Sequence, residues 1–257
     1  MIRTLLGALV AFIAAGAAWE AFARSGVFAP ALAPSLLAVG AALVAMIRNG
    51  TLAAHALYTL GRILVGLALA AAVGIPLGLL MGRVRAVERF ALPLVSVLSP
   101  IPSLAWVPLF IIWLGLGNAT AVALVVYAAL FPLVLNTWTG VRAVNQLWVR
   151  AAEAMGANRR ALFVKVVLPA SLPYVIAGVR QAFARSWIAV VGGEMIAATT
   201  WGLGFVIFDA KEYLNTDVML GALLVIGLLG FGIERLVFQR VEMLTVGRWG
   251  LVRTGRG

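Results

Sequence analysis

Residues 57–81 read LYTLGRILVGLALAAAVGIPLGLLM, with Arg62 the sole charged side chain among them. A helix crossing the bilayer core needs about 20 predominantly apolar residues, so this run is long enough to span with tilt. Gly61, Gly66, Gly74 and Gly78 lie along it at spacings that include four and eight. Small residues repeated in this way let helix backbones approach closely in lipid. Pro76 marks a kink.

The rest of the chain has the same character. Of 257 residues, 63% are hydrophobic and 11% charged, where a soluble domain carries about 25% charged. The mean hydropathy is +1.06. So few charges cannot coat a water-facing globule, which excludes an ordinary cytosolic enzyme, a disordered chain and a coiled coil. The apolar runs are continuous and do not alternate at period two, which argues against a transmembrane barrel. Six runs qualify as spans: 5–23, 57–81, 91–114, 119–139, 174–200 and 218–238. The expectation is an all-α polytopic membrane protein whose single transmembrane domain covers 1–257. Residues 35–50 are apolar over too short a stretch and read as an interfacial helix. The first run follows Arg3 and has some signal-peptide character. Glu20 inside it and the poor cleavage site Phe22-Ala23-Arg24 favour a span.

Arginine placement sets the expected orientation. With the N-terminus inside, the inner segments carry 14 Lys and Arg and the outer segments three, with Arg62, Arg180 and Arg185 within spans. Basic residues favour the cytoplasmic side, so both termini are expected there. The net charge of +11 is thereby read as a topology signal and not as a nucleic-acid footprint. The chain has no cysteine and one histidine, which leaves no disulfide framework, no thiolate chemistry and no multi-histidine metal centre.

Residues 91–114, ALPLVSVLSPIPSLAWVPLFIIWL, hold Pro93, Pro100, Pro102 and Pro108. Each proline removes a backbone donor. Backbone broken this often is tolerated at membrane depth when it is buried in protein or lines a wet cavity. Trp106, among those prolines, is the candidate pore-lining aromatic. Ionisable groups at membrane depth are functional candidates by default. Arg62 and Glu194 sit at similar depths and are expected to pair, either as a packing bridge or as a gate. Arg180 is close enough to the inner surface to snorkel, and the deeper Arg185 offers a cation to an anion conduit. His55 reads as an outer-surface residue. Asp209, Glu212 and Asp217 read as a solvated face.

The longest inner segment, about 141–172, has an amphipathic middle. Val149, Ala152, Met155 and Gly156 fall on one face, and Gly156 suits a helix C-cap. The residues alone leave two readings open, a solvated basic loop or a docking site for a cytoplasmic partner. The segment also carries Arg150-Ala151-Ala152, then three residues, Gly156, nine residues, Val166, one residue, and Leu168-Pro169. This spacing is similar to the loop of inner-membrane permeases of binding-protein-dependent ABC importers. Their pattern has Glu-Ala-Ala where this chain has Arg150-Ala151-Ala152, and Ile at Val166. Glu153 places a carboxylate nearby. Pro100-Ile101-Pro102, Ala105-Trp106-Val107-Pro108-Leu109, Trp113-Leu114-Gly115-Leu116-Gly117, Phe131-Pro132, Asn136-Thr137, Gly178-Val179-Arg180, Glu194-Met195-Ile196-Ala197, Gly202-Leu203-Gly204 and Thr216-Asp217 resemble the nitrate/sulfonate/taurine branch. The similarity runs from about residue 57 to 245.

The resemblance implies the six-helix type I ABC importer permease architecture in a bacterial inner (plasma) membrane. It implies a homodimer, a periplasmic or extracellular solute-binding protein, and ATPase subunits that bind ATP and Mg. The coupling helix that docks on the ATPase would involve Arg150, Ala151, Ala152, Glu153, Gly156, Ala157, Leu168 and Pro169. The translocation pathway would involve Arg62, Trp106, Arg185 and Glu194. The solute would be a small anion or organic anion of nitrate, sulfonate or taurine type. No Gly-x-x-x-x-Gly-Lys-Ser/Thr loop exists in the chain, so the implied nucleotide chemistry belongs to another subunit, and this one is expected to bind no cofactor. Two rivals remain, an ion-driven secondary transporter and a non-transporting membrane scaffold. The first lacks visible inverted repeats and has Glu194 as its one deep acid. The second has no use for a broken third span.

Overall fold

Residues 2–197 and 200–241 are described by this computed structural model, and they form helices with no strand among them. In chain order these are α1 (Ile2–Arg24), α2 (Leu36–Arg48), α3 (Thr51–Arg83), α4 (Arg85–Leu98), α5 (Val107–Leu114), α6 (Asn118–Arg142), α7 (Gln146–Ala154), α8 (Arg159–Leu162), α9 (Leu168–Ile196), α10 (Leu203–Glu212) and α11 (Thr216–Ile233).

Small residues decide how the core assembles. A Cβ at Gly74 would meet Leu133 at 3.1 Å, one at Gly78 would stand 2.6 Å from the Val134 carbonyl oxygen, and one at Gly82 would stand 2.5 Å from Val141. These contacts advance together along α3 and α6, so the two helices run parallel. On its other side α6 meets α9 through Gly140 against Tyr174, Gly178 against Asn136 and Gly193 against Leu124. There the numbers run in opposite senses, so α9 is antiparallel. Lipid supplies no hydrophobic drive between helices, so close packing and dispersion hold them. Ala70, Ala129, Leu133 and Ala182 form a fully buried layer across the three. Gly61, read as part of the packing stripe, faces open space. One end of the bundle therefore carries Arg83, Arg142 and Leu168, with α7 and α8 beside them. The far end carries Thr51, Asn118 and Ile196.

The expected spans 57–81 and 119–139 fall within α3 and α6. The expected 91–114 is not one straight span, because α4 and α5 meet at 89° through a 3-10 turn at Ser103–Trp106. Pro102 has no N–H to offer the Leu98 carbonyl four residues back. That oxygen accepts instead from the Tyr127 hydroxyl at 2.7 Å and from Ile101 N at 3.1 Å. The helix of the expected span 174–200 begins well before it. α8, a π-helical turn (Phe163–Val167) and α9 form one run, Arg159–Ile196, of 38 residues. Residues 198 and 199 of the expected fifth span lie outside the described residues. α11 continues through a second π-helical turn, Glu234–Phe238.

Among the described residues four helices are long and apolar enough to cross a membrane, five if the bent pair counts as one. Five is the most that these residues show against the expected six. The expected span 5–23 falls on α1, of 23 residues, several of whose first side chains lie outside the described residues. α1 is tied to α2: Trp19 Nε1 donates to the Pro34 carbonyl at 3.1 Å, and Glu20 accepts from Leu36 N at 2.8 Å. Of the inner arginines counted from sequence, Arg248, Arg253 and Arg256 lie outside the described residues.

Candidate functional site

The far end holds a buried polar cluster. Glu194, one turn from the end of α9, is 1% exposed. Its Oε1 accepts from Arg62 Nη1 at 2.5 Å, its Oε2 accepts from Gly204 N at 2.9 Å, and the Thr59 hydroxyl stands within 3.0 Å of both oxygens. Four of the five Arg62 N–H groups are engaged, with Nε and Nη2 on Asn118 Oδ1 at 2.8 and 2.6 Å and Nη1 also on the Trp201 carbonyl at 2.6 Å. Thr59 Oγ1 accepts from Leu203 N at 2.9 Å. His55 Nδ1 accepts from Gly202 N at 3.0 Å. Gly202 has φ +141, and a Cβ there would lie 2.5 Å from Glu194 Oε2, so a side chain is excluded on both counts.

These bonds join α3, α6, α9 and the segment leading into α10. The Arg62–Glu194 pair expected from depth is present, and its dense hydrogen bonding suits a fixed bridge better than a moving gate. His55 is not a free surface residue. It is half-buried and tilted against Trp201, with ring centroids 4.9 Å apart. Thr59 and Asn118 escaped the sequence reading as site residues, and Gly202 entered it only within a resembling stretch, with no role at the site. The available signal was the polar stripe His55, Thr59 and Arg62, which recurs at helical spacing on an otherwise apolar helix.

The opposite end presents α7. Asn145 caps its start, with Oδ1 accepting from Leu147 N at 2.8 Å. Its end is closed by Gly156 at φ +83, with Gly156 N on Glu153 O at 2.9 Å and Ala157 N on Ala152 O at 3.0 Å. That is the glycine cap the sequence suggested, in its six-to-one form. Asn158 then caps α8 through Ala161 N. No α7 residue is buried. Val149 and Ala152 are half-buried, with Val149 against Val141, Val144 and Val167. Met155 does not share that inward face, being 87% exposed beside exposed Leu147 and Trp148. Arg150, Ala151 and Glu153 are exposed too, and Leu168 and Pro169 form the first turn of α9. At the same end of the bundle Glu88 pairs with Arg142 and accepts from Trp138 Nε1 at 3.2 Å.

Arg180 does not simply snorkel. It forms an ion pair with Glu234, from the π-helical turn after α11. Arg185 is exposed and borders the bend between α4 and α5. Trp106 packs against Tyr127 and Phe110, with centroids 5.2 and 6.0 Å away, which puts it behind Tyr127 and not on the surface that Arg185 borders. The chain thus brings Arg62 and Glu194 together and leaves Arg185 and Trp106 apart from them. Among the described residues no group of three His, Asp or Glu stands ready for a metal.

Comparison with known proteins adds to this geometry. The model of the family described as binding-protein-dependent transport system inner membrane component matches residues 74–243, more than half of the chain. The taurine transport system permease protein of Escherichia coli is 37% identical over 186 residues, covering 72% of this chain and 67% of that one. The bicarbonate transport system permease protein of Synechococcus elongatus is 32% identical over 179 residues, covering 70% and 64%. Among solved structures, a chain of the MetNI methionine ABC transporter in inward-facing conformations superposes with a TM-score of 0.62. It is 20% identical and covers 72% of this chain and 91% of that one, so it shares the fold.

Proposed function

The chain belongs to the family of binding-protein-dependent transport system inner membrane components, and on that footing we propose that it is the membrane-spanning subunit of an ATP-driven ABC importer. The observation that carries the reading is α7. Both its ends are fixed, by Asn145 and Gly156, and it holds Leu147, Trp148 and Met155 out from the end of the bundle. A rigid apolar projection is suited to a groove on a partner and costs energy if left in water.

α7 is the coupling helix. Arg150, Ala151, Ala152, Glu153, Gly156 and Ala157 form its docking surface. Leu168 and Pro169 begin α9, so a displacement of α7 reaches the core through the π-helical turn Phe163–Val167. Such a device needs a rigid element with two positions, and the caps supply the rigidity. The partner ATPase binds ATP and Mg. Two copies of this chain enclose the pathway. Arg185 marks the pathway's side of the fold, with Trp106 backing the Tyr127 ring behind it, and Arg62 with Glu194 holds its outer end as a fixed bridge. A solute-binding protein delivers the solute there. The chain is a single transmembrane domain of a bacterial inner membrane with both termini cytoplasmic, as the excess of basic residues at the α7 end supports. The solute is a small anion or organic anion, a class supported by relatives named for taurine and bicarbonate.

Affinity purification of the tagged chain from its own membranes in mild detergent, with mass spectrometry of what accompanies it, tests the reading. An ATPase subunit in equal number is the expected result. A stable, monodisperse protein with no ATPase under several mild conditions would contradict it.

A further inference from the structure

Arg185 lies about 16 Å along α9 from Ile196 and about 26 Å from Leu168, at 1.5 Å per residue. It is therefore far from both surfaces of the membrane. It forms no ion pair or hydrogen bond among the described residues. A guanidinium at such depth is costly unless water or a counter-charge reaches it. Arg185 faces a cavity of about 270 Å³ where α4 and α5 bend. Ser99, Pro100, Pro102, Ser103 and Tyr127 share the lining, and no acidic side chain does. The Tyr127 hydroxyl donates its hydrogen bond to Leu98 O, and the two serine hydroxyls have no partner among the described residues. The cavity thus has one cation, two uncommitted hydroxyls and no negative charge.

We infer that this cavity is an anion-binding station, which takes the oxyanion head of a small solute on Arg185 with Ser99 and Ser103 as further donors. The inference rests on the importer reading above and extends it to a site within the permease. A guanidinium presents a planar fork that matches an oxyanion's geometry. The volume is below the ~300–1,000 Å³ of pockets for drug-sized ligands. It holds the equivalent of about nine waters at ~30 Å³ each, room for a small anion that keeps part of its hydration. Because no carboxylate lines the cavity, it recognises the anionic head and ignores any amine at the other end. Taurine and ethanesulfonate are therefore bound alike here, and discrimination between them belongs elsewhere.

Calorimetry on the full chain in lipid nanodiscs tests this, with methanesulfonate as probe and dimethyl sulfone as its uncharged counterpart. Methanesulfonate should bind the wild type and dimethyl sulfone should not. Arg185→Gln should weaken methanesulfonate binding about tenfold or more, the size expected for a hydrogen bond to a charged group, and Arg185→Lys should restore part of it. Equal affinity in Arg185→Gln, equal binding of dimethyl sulfone, or no methanesulfonate binding by the wild type would each overturn the station. ATP hydrolysis by the co-purified complex separates this from the importer reading. An active ATPase complex whose methanesulfonate binding ignores Arg185 refutes the station alone. Absence of any ATPase refutes the importer reading, and Arg185-dependent binding would then still stand.

Discussion

Arg62 and Glu194 are 132 residues apart in sequence, and Nη1 of the first stands 2.5 Å from Oε1 of the second where α3, α6 and α9 converge. Breaking a buried ion pair leaves one charge uncompensated and costs about 3–5 kcal/mol, whereas replacing both partners by apolar groups can be close to neutral. Glu194→Leu and Arg62→Met should each lower the melting temperature of the purified protein markedly. The double change Arg62→Met with Glu194→Leu should recover a large part of the loss. Melting in detergent, arranged as a double-mutant cycle, measures the coupling, and simple addition of the two single losses would remove the bridge from the account.

The α3–α6 seam makes a second prediction. Gly78→Ala puts a methyl 2.6 Å from the Val134 carbonyl oxygen, and overpacking of this kind costs about 1–3 kcal/mol. Gly61→Ala meets nothing within 4 Å and should be neutral or slightly stabilising, since alanine favours a helix interior over glycine by roughly 0.5–1 kcal/mol. Thermal denaturation of the two variants side by side decides whether this seam sets the core.

Gly156 supplies a third. Its φ of +83 suits glycine, and asparagine tolerates the left-handed conformation. Gly156→Trp should strain the cap and crowd the docking surface, abolishing uptake while insertion and ATP hydrolysis persist. Gly156→Asn should keep uptake near wild type. Transport assays in proteoliposomes with ATPase activity read in parallel check both. Undiminished uptake by Gly156→Trp would mean that α7 does not couple.

Deleting residues 1–23 should reduce uptake less than altering 141–170. α1 is fastened to α2 by Trp19 and Glu20 and takes no part in the α3–α6–α9 seam. Uptake by the two variants, normalised to the amount inserted, provides the comparison. Equal losses would reverse the ranking.

Much of this was legible in the residues. Run length and composition gave the helical membrane class, depth alone paired Arg62 with Glu194, and the glycine after α7 announced its cap. The bend of α4 and α5 was announced by four prolines, but its 89° angle was not, because it also depends on Tyr127, which takes the Leu98 carbonyl from a distant helix. The continuity of α8 with α9 is not evident in a stretch that carries Pro169 and Pro173. Proline is tolerated in the first turn, where Pro169 sits, and a π-helical turn absorbs the preceding register. Periodicity put Met155 on one face with Val149 and Ala152, but α7 ends at Ala154, so the helical phase no longer held at that position. The partners of the buried pair, Asn118 and Gly202, came from segments whose convergence no local pattern encodes.

The central claim is that α7 docks on an ATPase at the cytoplasmic face. The chain has no cysteine, so Met155→Cys, at an 87% exposed position, gives a unique thiol for a photoactivatable maleimide in native membranes. This thiol should react from the cytoplasmic side and, on illumination, cross-link to an ATPase subunit. Labelling from the outer side, or illumination of an intact and active preparation that yields no ATPase adduct, would contradict it.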